Sequence, residues 1–246
     1  MVAMPGKSIA EREPEHPASG EFLRDIVFGA NDGVVTAIGF LVGISGSIAN
    51  QGVVVIAGIL TIVAGSASMA LGNYLGVKSQ REYYEAMEKI EKWEMKHKPD
   101  VERDEIREIY TNYGFDKETV ETLTKKVTSN NELWLKVMMR DELGFSEQEK
   151  GQPVVSGVFM GIAYLAGGIP PLLPYIFLRP LTRALLMSVF VSVFVMGMIG
   201  FFRWFLNKGS FTSKVAETIT IGLVAAAVGF VAGEALRLFG ISDISI

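Results

Sequence analysis

Residues 53–98 read VVVIAGILTIVAGSASMALGNYLGVKSQREYYEAMEKIEKWEMKHK, and their reading decides the fold. Val53–Val77 carries no charged side chain, whereas Lys78–Lys98 is dense in Glu and Lys. A bilayer core of about 30 Å needs about 20 helical residues, so the first part is long enough to span it. No proline interrupts the join. The stretch therefore predicts one helix that crosses a membrane and continues into water.

Working outward, four more apolar runs follow the same rule: Ile26–Ile48, Val154–Leu173, Ala184–Leu206 and Val215–Phe239. The first two spans are joined by the uncharged hairpin Ala49–Gly52. Ile169-Pro170-Pro171 is expected to end the third span and Asn207-Lys208-Gly209 the fourth. The expected fold is all-α, a polytopic membrane protein with five transmembrane helices and a charged helical insert. Overall, 49% hydrophobic residues and a mean hydropathy of +0.32 would also suit a soluble domain. The segregation of charge from the apolar runs excludes an ordinary soluble enzyme.

The 246 residues divide into a flexible tail (1–24), spans one and two (25–77), the insert (78–150) and spans three to five (151–246). The tail is polar and proline-bearing, without the apolar stretch of a cleavable signal peptide. Five spans place the termini on opposite sides. Basic residues concentrate in the tail, the insert and the 203–214 loop, leaving Arg179, Arg183 and Arg237 for the other side. The positive-inside rule then predicts a cytoplasmic N-terminus, a cytoplasmic insert and a non-cytoplasmic C-terminus.

Composition excludes further chemistries. Without cysteine there is no disulfide, thiol nucleophile or thiolate metal site. His16 and His97 are too few for three-histidine zinc. The net charge of −4 gives no reason to expect nucleic acid.

In the insert, Pro99-Asp100 is expected to stop the long helix and cap the next, near 101–112. A turn at Tyr113-Gly114-Phe115-Asp116 precedes helices near 117–128 and 131–143. Glu82, Glu85, Glu88, Glu91 and Glu94 recur every third residue, and like charges at that spacing repel. Lys89, Lys92, Lys96 and Lys98 could offset them, which makes a solvated face. A bound divalent cation is the other reading. Glu102 and Glu105 would fold back beside Glu91 and Glu94, and Met138 and Glu142 share a face at i,i+4. Glu94-Met95-Lys96-His97 resembles half of a di-iron motif, but the second copy such sites require is missing.

Asp32 stands out inside the first span, because a carboxylate at the bilayer centre costs about 2.5–3.5 kcal/mol on insertion scales. Folding the hairpin about Ala49–Gly52 puts Met69 at the depth of Asp32. A carboxylate with a thioether favours a transition metal over Mg²⁺ or Ca²⁺. The plain alternatives are an interfacial aspartate and a packing methionine. Glu234 is explained by an i,i+3 ion pair with Arg237, and Glu217 by the helix dipole. The Gly39, Gly72, Gly157 and Gly229 G-x-x-x-G spacings permit close helix approach. No internal repeat is visible, so a two-fold transport core would need two copies of the chain.

Asp32-Gly33, Ser68–Leu75, Met138–Gly144, Gly209-Ser210-Phe211-Thr212 and Ile221-Gly222 together resemble the vacuolar iron transporter family, in order, over most of the chain. The resemblance implies a homodimer of five-span protomers exporting Fe²⁺ from the cytoplasm in exchange for protons. Mn²⁺ is the second candidate cargo, and Co²⁺, Ni²⁺ and Zn²⁺ are further ones. It assigns the pathway to Asp32 and Met69 and cytoplasmic metal binding to Glu91, Glu94, Glu102, Glu105, Met138 and Glu142, with Met139 as a possible addition. Two departures stand out. Thr61 occupies the place of a second-span glutamate, and Ala37-Ile38-Gly39 lacks the proline that often follows the aspartate. The expected function is metal/proton antiport. The rival is a membrane-anchored metal sensor or buffer that does not transport. A prokaryotic cell membrane is favoured over a vacuolar one because the chain is compact.

Overall fold

The computed structural model describes residues 20–145, 151–207 and 209–238. Most of the expected tail, with Lys7, Arg12 and His16, lies outside the described residues, as do 146–150, Lys208 and Phe239. The described residues are helical and contain no strand: α1 (Gly20–Ser47), α2 (Gln51–His97), α3 (Pro99–Asn112), α4 (Lys117–Thr128), α5 (Asn131–Val137), α6 (Pro153–Phe177), α7 (Leu181–Asn207) and α8 (Phe211–Leu238). A π-helical turn, Met138–Glu142, follows α5. Five helices, α1, α2, α6, α7 and α8, are long and apolar enough to cross a membrane. The long α2 is unbroken for 47 residues, as its sequence predicts. Contacts divide the chain into two units, one of 1–73 with 155–246 and the other of 74–154.

In the first unit, α1 is the hub. Its Val34, Ile38 and Val42 pack on Met196 of α7, while Ala37 and Leu41 join Val54, Ile62, Leu172, Tyr175 and Ala184. Against α8, a Cβ at Gly43 would sit 2.7 Å from the Gly229 carbonyl oxygen. The α1–α8 crossing is thus closed by Gly39, Gly43, Gly229 and Gly233, as small-residue spacing allows. Gly72 and Gly76 share that spacing but meet nothing within 4 Å. The hairpin between α1 and α2 is held by Asn50, whose side chain accepts from Gly52 and Val53 N–H groups.

Two boundaries differ from expectation. The first span begins at Phe22 rather than Ile26, because the charge that suggested an end, Asp25, is fully buried and paired. The third span does not stop at Ile169-Pro170-Pro171; α6 runs through Pro170, Pro171 and Pro174 to Phe177. Prolines remove N–H donors without expelling a helix from lipid when neighbours support it. Here Ser188 of α7 donates to the Pro171 carbonyl at 2.6 Å, and Gln51 donates to the Tyr175 and Leu178 carbonyls at 2.7 Å each.

The second unit is built from the far half of α2, α3–α5 and the π turn. Its core is Ile106, Val127, Trp134, Val137 and Met138, each apolar side chain stabilising by about 1.5–3 kcal/mol on burial. Asp116 caps α4 and Asn130 caps α5, both by accepting from backbone N–H groups. Pro99 opens α3, but Asp100 does not cap it and pairs instead with Arg103 at 2.8 Å. The expected helix over 131–143 changes pitch at Val137, where the Leu143 N–H reaches back five residues to the Met138 carbonyl. This wider turn buries Met138 and Met139 in succession, and such turns recur at functional sites.

Candidate metal-handling sites

The glutamate stripe of α2 is mostly a solvated face. Glu82, Glu85, Glu88 and Glu94 each pair with a base one turn away: Lys78, Arg81, Lys92 and Lys98. Glu91 breaks the series. It is only 4% exposed, and its Oε2 is buried without a hydrogen-bond partner. Glu102 of α3 repeats the pattern, 3% exposed with an unpartnered Oε2. α3 has folded back as expected, so that Glu91, Glu94, Glu102, Glu105 and Glu142 lie in one another's field.

Burial, reinforced by Glu142, Glu102, Glu94 and Glu105, pushes the Glu91 carboxyl up to about 7. Glu102 is likewise pushed up to about 7, first by burial, then by Glu105 and its other neighbours. Glu105 and Glu142 are also raised, burial being the larger cause in each. A cluster of buried carboxylates without a cation is electrostatically unfavourable, and a bound divalent ion would offset it. Among the described residues, no three acidic or imidazole groups already converge as a coordination shell. Met138 supplies no exposed thioether: it is fully buried in the core with Trp134 and with Ile106, the residue that follows Glu105 on α3. His97 is apart from the cluster's chemistry, stacked on Trp93 with ring centroids 4.5 Å apart.

Within the spans, polar residues form a stripe. Asp32 is half-buried beside Tyr164 of α6, whose hydroxyl pairs with Thr36 one turn further along α1. Two turns earlier on the same face, Asp25 accepts a hydrogen bond from Ser156 and another from Arg24 at 3.2 Å. Asn73 of α2 donates to the Ser156 hydroxyl at 2.8 Å. Asp25, Ser156 and Asn73 are thus one connected group, which the sequence reading missed by starting the span four residues too late, at Ile26. Its signal was the seven-residue step from Asp25 to Asp32.

Along α2, Asn73 shares Ser156 as a hydrogen-bond partner with Asp25, and Gly65 lies against the Tyr164 hydroxyl that pairs with Thr36, while Gly33 lies against the Tyr164 backbone. Met69 lies on α2 one turn from each of Asn73 and Gly65. Glu234 is paired with Arg237 as expected, and Glu217 is held by Arg203 at 3.4 Å.

Five apolar spans, carboxylates placed inside them and a second unit with a buried acidic cluster define a polytopic membrane protein built to handle cations. The profile of the VIT family matches residues 23–234, and the chain belongs to that family, whose members are transporters and not enzymes. It is similar to vacuolar iron transporter 2 of Oryza sativa subsp. japonica, 33% identical over 232 residues covering 92% of each chain. Vacuolar iron transporter 1 of Arabidopsis thaliana is 33% identical over 88% of this chain and 86% of its own. Protein CCC1 of Saccharomyces cerevisiae is 31% identical over 88% of this chain and 67% of its own.

Proposed function

We propose that the protein exports Fe²⁺ from the cytoplasm in exchange for protons, with Mn²⁺ as a second cargo. The observation that carries this reading is the pair of buried carboxylates at Glu91 and Glu102, each with its Oε2 unpartnered and each raised to about 7. Such groups exchange a proton for a cation near neutral pH, because a ligand must be deprotonated before it binds metal. The names of the relatives, vacuolar iron transporters, support iron as the ion.

In this reading the acidic cluster of the second unit captures Fe²⁺ on the cytoplasmic side. Glu91, Glu94, Glu102, Glu105 and Glu142 supply oxygen, and Met138 supplies sulfur after the core around it yields. The ion then passes along the intramembrane stripe through Asp25, Met69 and Asp32. Carboxylate and thioether together suit a borderline transition metal better than Mg²⁺ or Ca²⁺. Protons arriving from the far side displace the ion at Asp32. Two copies pair so that the stripes of both α1 helices complete the pathway, with the N-terminus cytoplasmic and the C-terminus outside. A prokaryotic cell membrane is the proposed location.

The test is proton counter-flow. Protein is reconstituted into vesicles that trap a pH-sensitive dye, with the interior made acidic. Adding external Fe²⁺ is expected to alkalinise the interior, and an ionophore that collapses the gradient should slow metal entry. Metal entry with no proton movement would refute antiport. Metal binding with no entry would instead favour the sensor or buffer.

A further inference from the structure

We propose that the groove between α1, α7 and α8 is a binding site for the headgroup of an anionic phospholipid. The groove encloses about 440 Å³. Arg24 of α1 and Arg203 of α7 line it, beside the apolar side chains of Leu23, Phe28, Leu206 and Ile221.

Position is the first argument. Arg24 lies near the start of α1, Arg203 near the end of α7 and Ile221 in the third turn of α8, so all three helices contribute from one end of their spans. Trp204 stacks there with Phe201 and Phe211, at ring-centroid separations of 5.6 and 5.5 Å. Aromatic side chains of this kind concentrate at the headgroup level of a bilayer. The groove is therefore at the depth where phosphates lie.

Charge is the second. Arg24 bonds Asp25 through Nε and Nη2, and Arg203 bonds Thr218 and Glu217 through Nη1 and Nη2. A guanidinium has five N–H donors, so each retains donors for a further oxygen-rich anion. Asp25 is fully buried behind Arg24, whose side chain is 61% exposed. Asp25 and Glu217 balance the two guanidiniums in charge, so the groove attracts an anion through the donors they leave unused, those of the exposed Arg24 above all.

The walls are the third. Phe28 is 56% exposed and Ile221 44%, both apolar surfaces contiguous with the charged rim. A soluble anion would use the arginines and leave these walls wet. A phospholipid fits both halves, phosphate on the guanidinium forks and acyl chain along the apolar wall, the pattern of basic pockets between membrane helices. Along α1 the groove reaches as far as Asn31. Binding itself does not depend on the transport reading.

Native mass spectrometry of the full-length protein, released from detergent containing dioleoyl phosphatidylglycerol or dioleoyl phosphatidylcholine, tests it. The wild type should retain phosphatidylglycerol in preference. Each arginine lost should weaken that preference about fivefold, so Arg24→Gln with Arg203→Gln should lower it about 25-fold. Arg24→Lys with Arg203→Lys keeps the charge and should keep most of the preference, which separates lost binding from lost folding. Equal retention of both lipids by the wild type, or undiminished preference in the double glutamine variant, would overturn the proposal. So would displacement of the lipid by millimolar inorganic phosphate, which would assign the groove to a soluble anion.

Discussion

Replacing Glu91 with Gln removes one charge from the acidic cluster while keeping the side chain's size, and the structure fixes the sign of the result. The folded carboxyl is raised from 4.5 to about 7, so ionising it opposes folding. That contribution is absent well below 4.5, grows as the pH rises from 4.5 towards the folded value, and levels off above about 7. At about 1.36 kcal/mol per pH unit the full shift corresponds to at most about 3.4 kcal/mol. The repulsion is shared among five glutamates and the new amide also needs partners, so about 1–2 kcal/mol is expected for one substitution. A domain of this size converts that into a rise of roughly 5–12 °C in Tm at pH 8. At pH 4 the change should be close to zero, because the carboxyl is then mostly protonated in both the folded and the unfolded chain. The assay is thermal unfolding of the full-length protein followed by tryptophan emission, to which Trp134 in the core of the second unit contributes. Saturating Mn²⁺ should reverse the order at pH 8, stabilising the wild type more than Glu91→Gln. An equal Tm change at both pH values, or a loss of stability at pH 8, would refute the account of Glu91 as a buried, uncompensated charge.

Other outcomes follow from the same geometry. Asp25→Leu leaves the Ser156 hydroxyl and the Arg24 guanidinium without their acceptor and should cost about 1–3 kcal/mol, read as a lower Tm in detergent. Asp25→Asn should recover most of that stability but slow Fe²⁺ entry into vesicles. Met69→Leu keeps the volume and removes the sulfur, so competition uptake should lose Fe²⁺ preference relative to Mn²⁺. Gly43→Leu drives a side chain into the Gly229 carbonyl and should destabilise by about 1–3 kcal/mol or more, with loss of folded protein on size-exclusion chromatography.

The spans were legible because lipid demands long uncharged helices, a constraint that the composition of 53–77 meets by itself. The helices of the insert were legible from Pro99 and the turn Tyr113-Gly114-Phe115-Asp116, while the caps at Asp116 and Asn130 are seen only in the structure. What escaped reading depended on partners distant in sequence. The helix α6 continues past Pro170, Pro171 and Pro174, and the side chains that bond its later carbonyls, Ser188 and Gln51, come from other helices. Asp25 looked like an edge residue because its acceptor role is met by Ser156, 131 residues away. In the acidic stripe, spacing alone could not say which glutamate differs. Four have basic partners within one turn, and only burial by the rest of the unit singles out Glu91.

The central claim is that an intramembrane carboxylate on α1 carries the metal. The measurement that tests it most directly is Fe²⁺ uptake into proteoliposomes with an acidic interior, wild type beside Asp32→Ala, with equal reconstitution and matched Tm. The account predicts gradient-dependent uptake by the wild type and its loss in Asp32→Ala, while Fe²⁺ still binds the acidic cluster of the variant. Undiminished uptake by Asp32→Ala would contradict it.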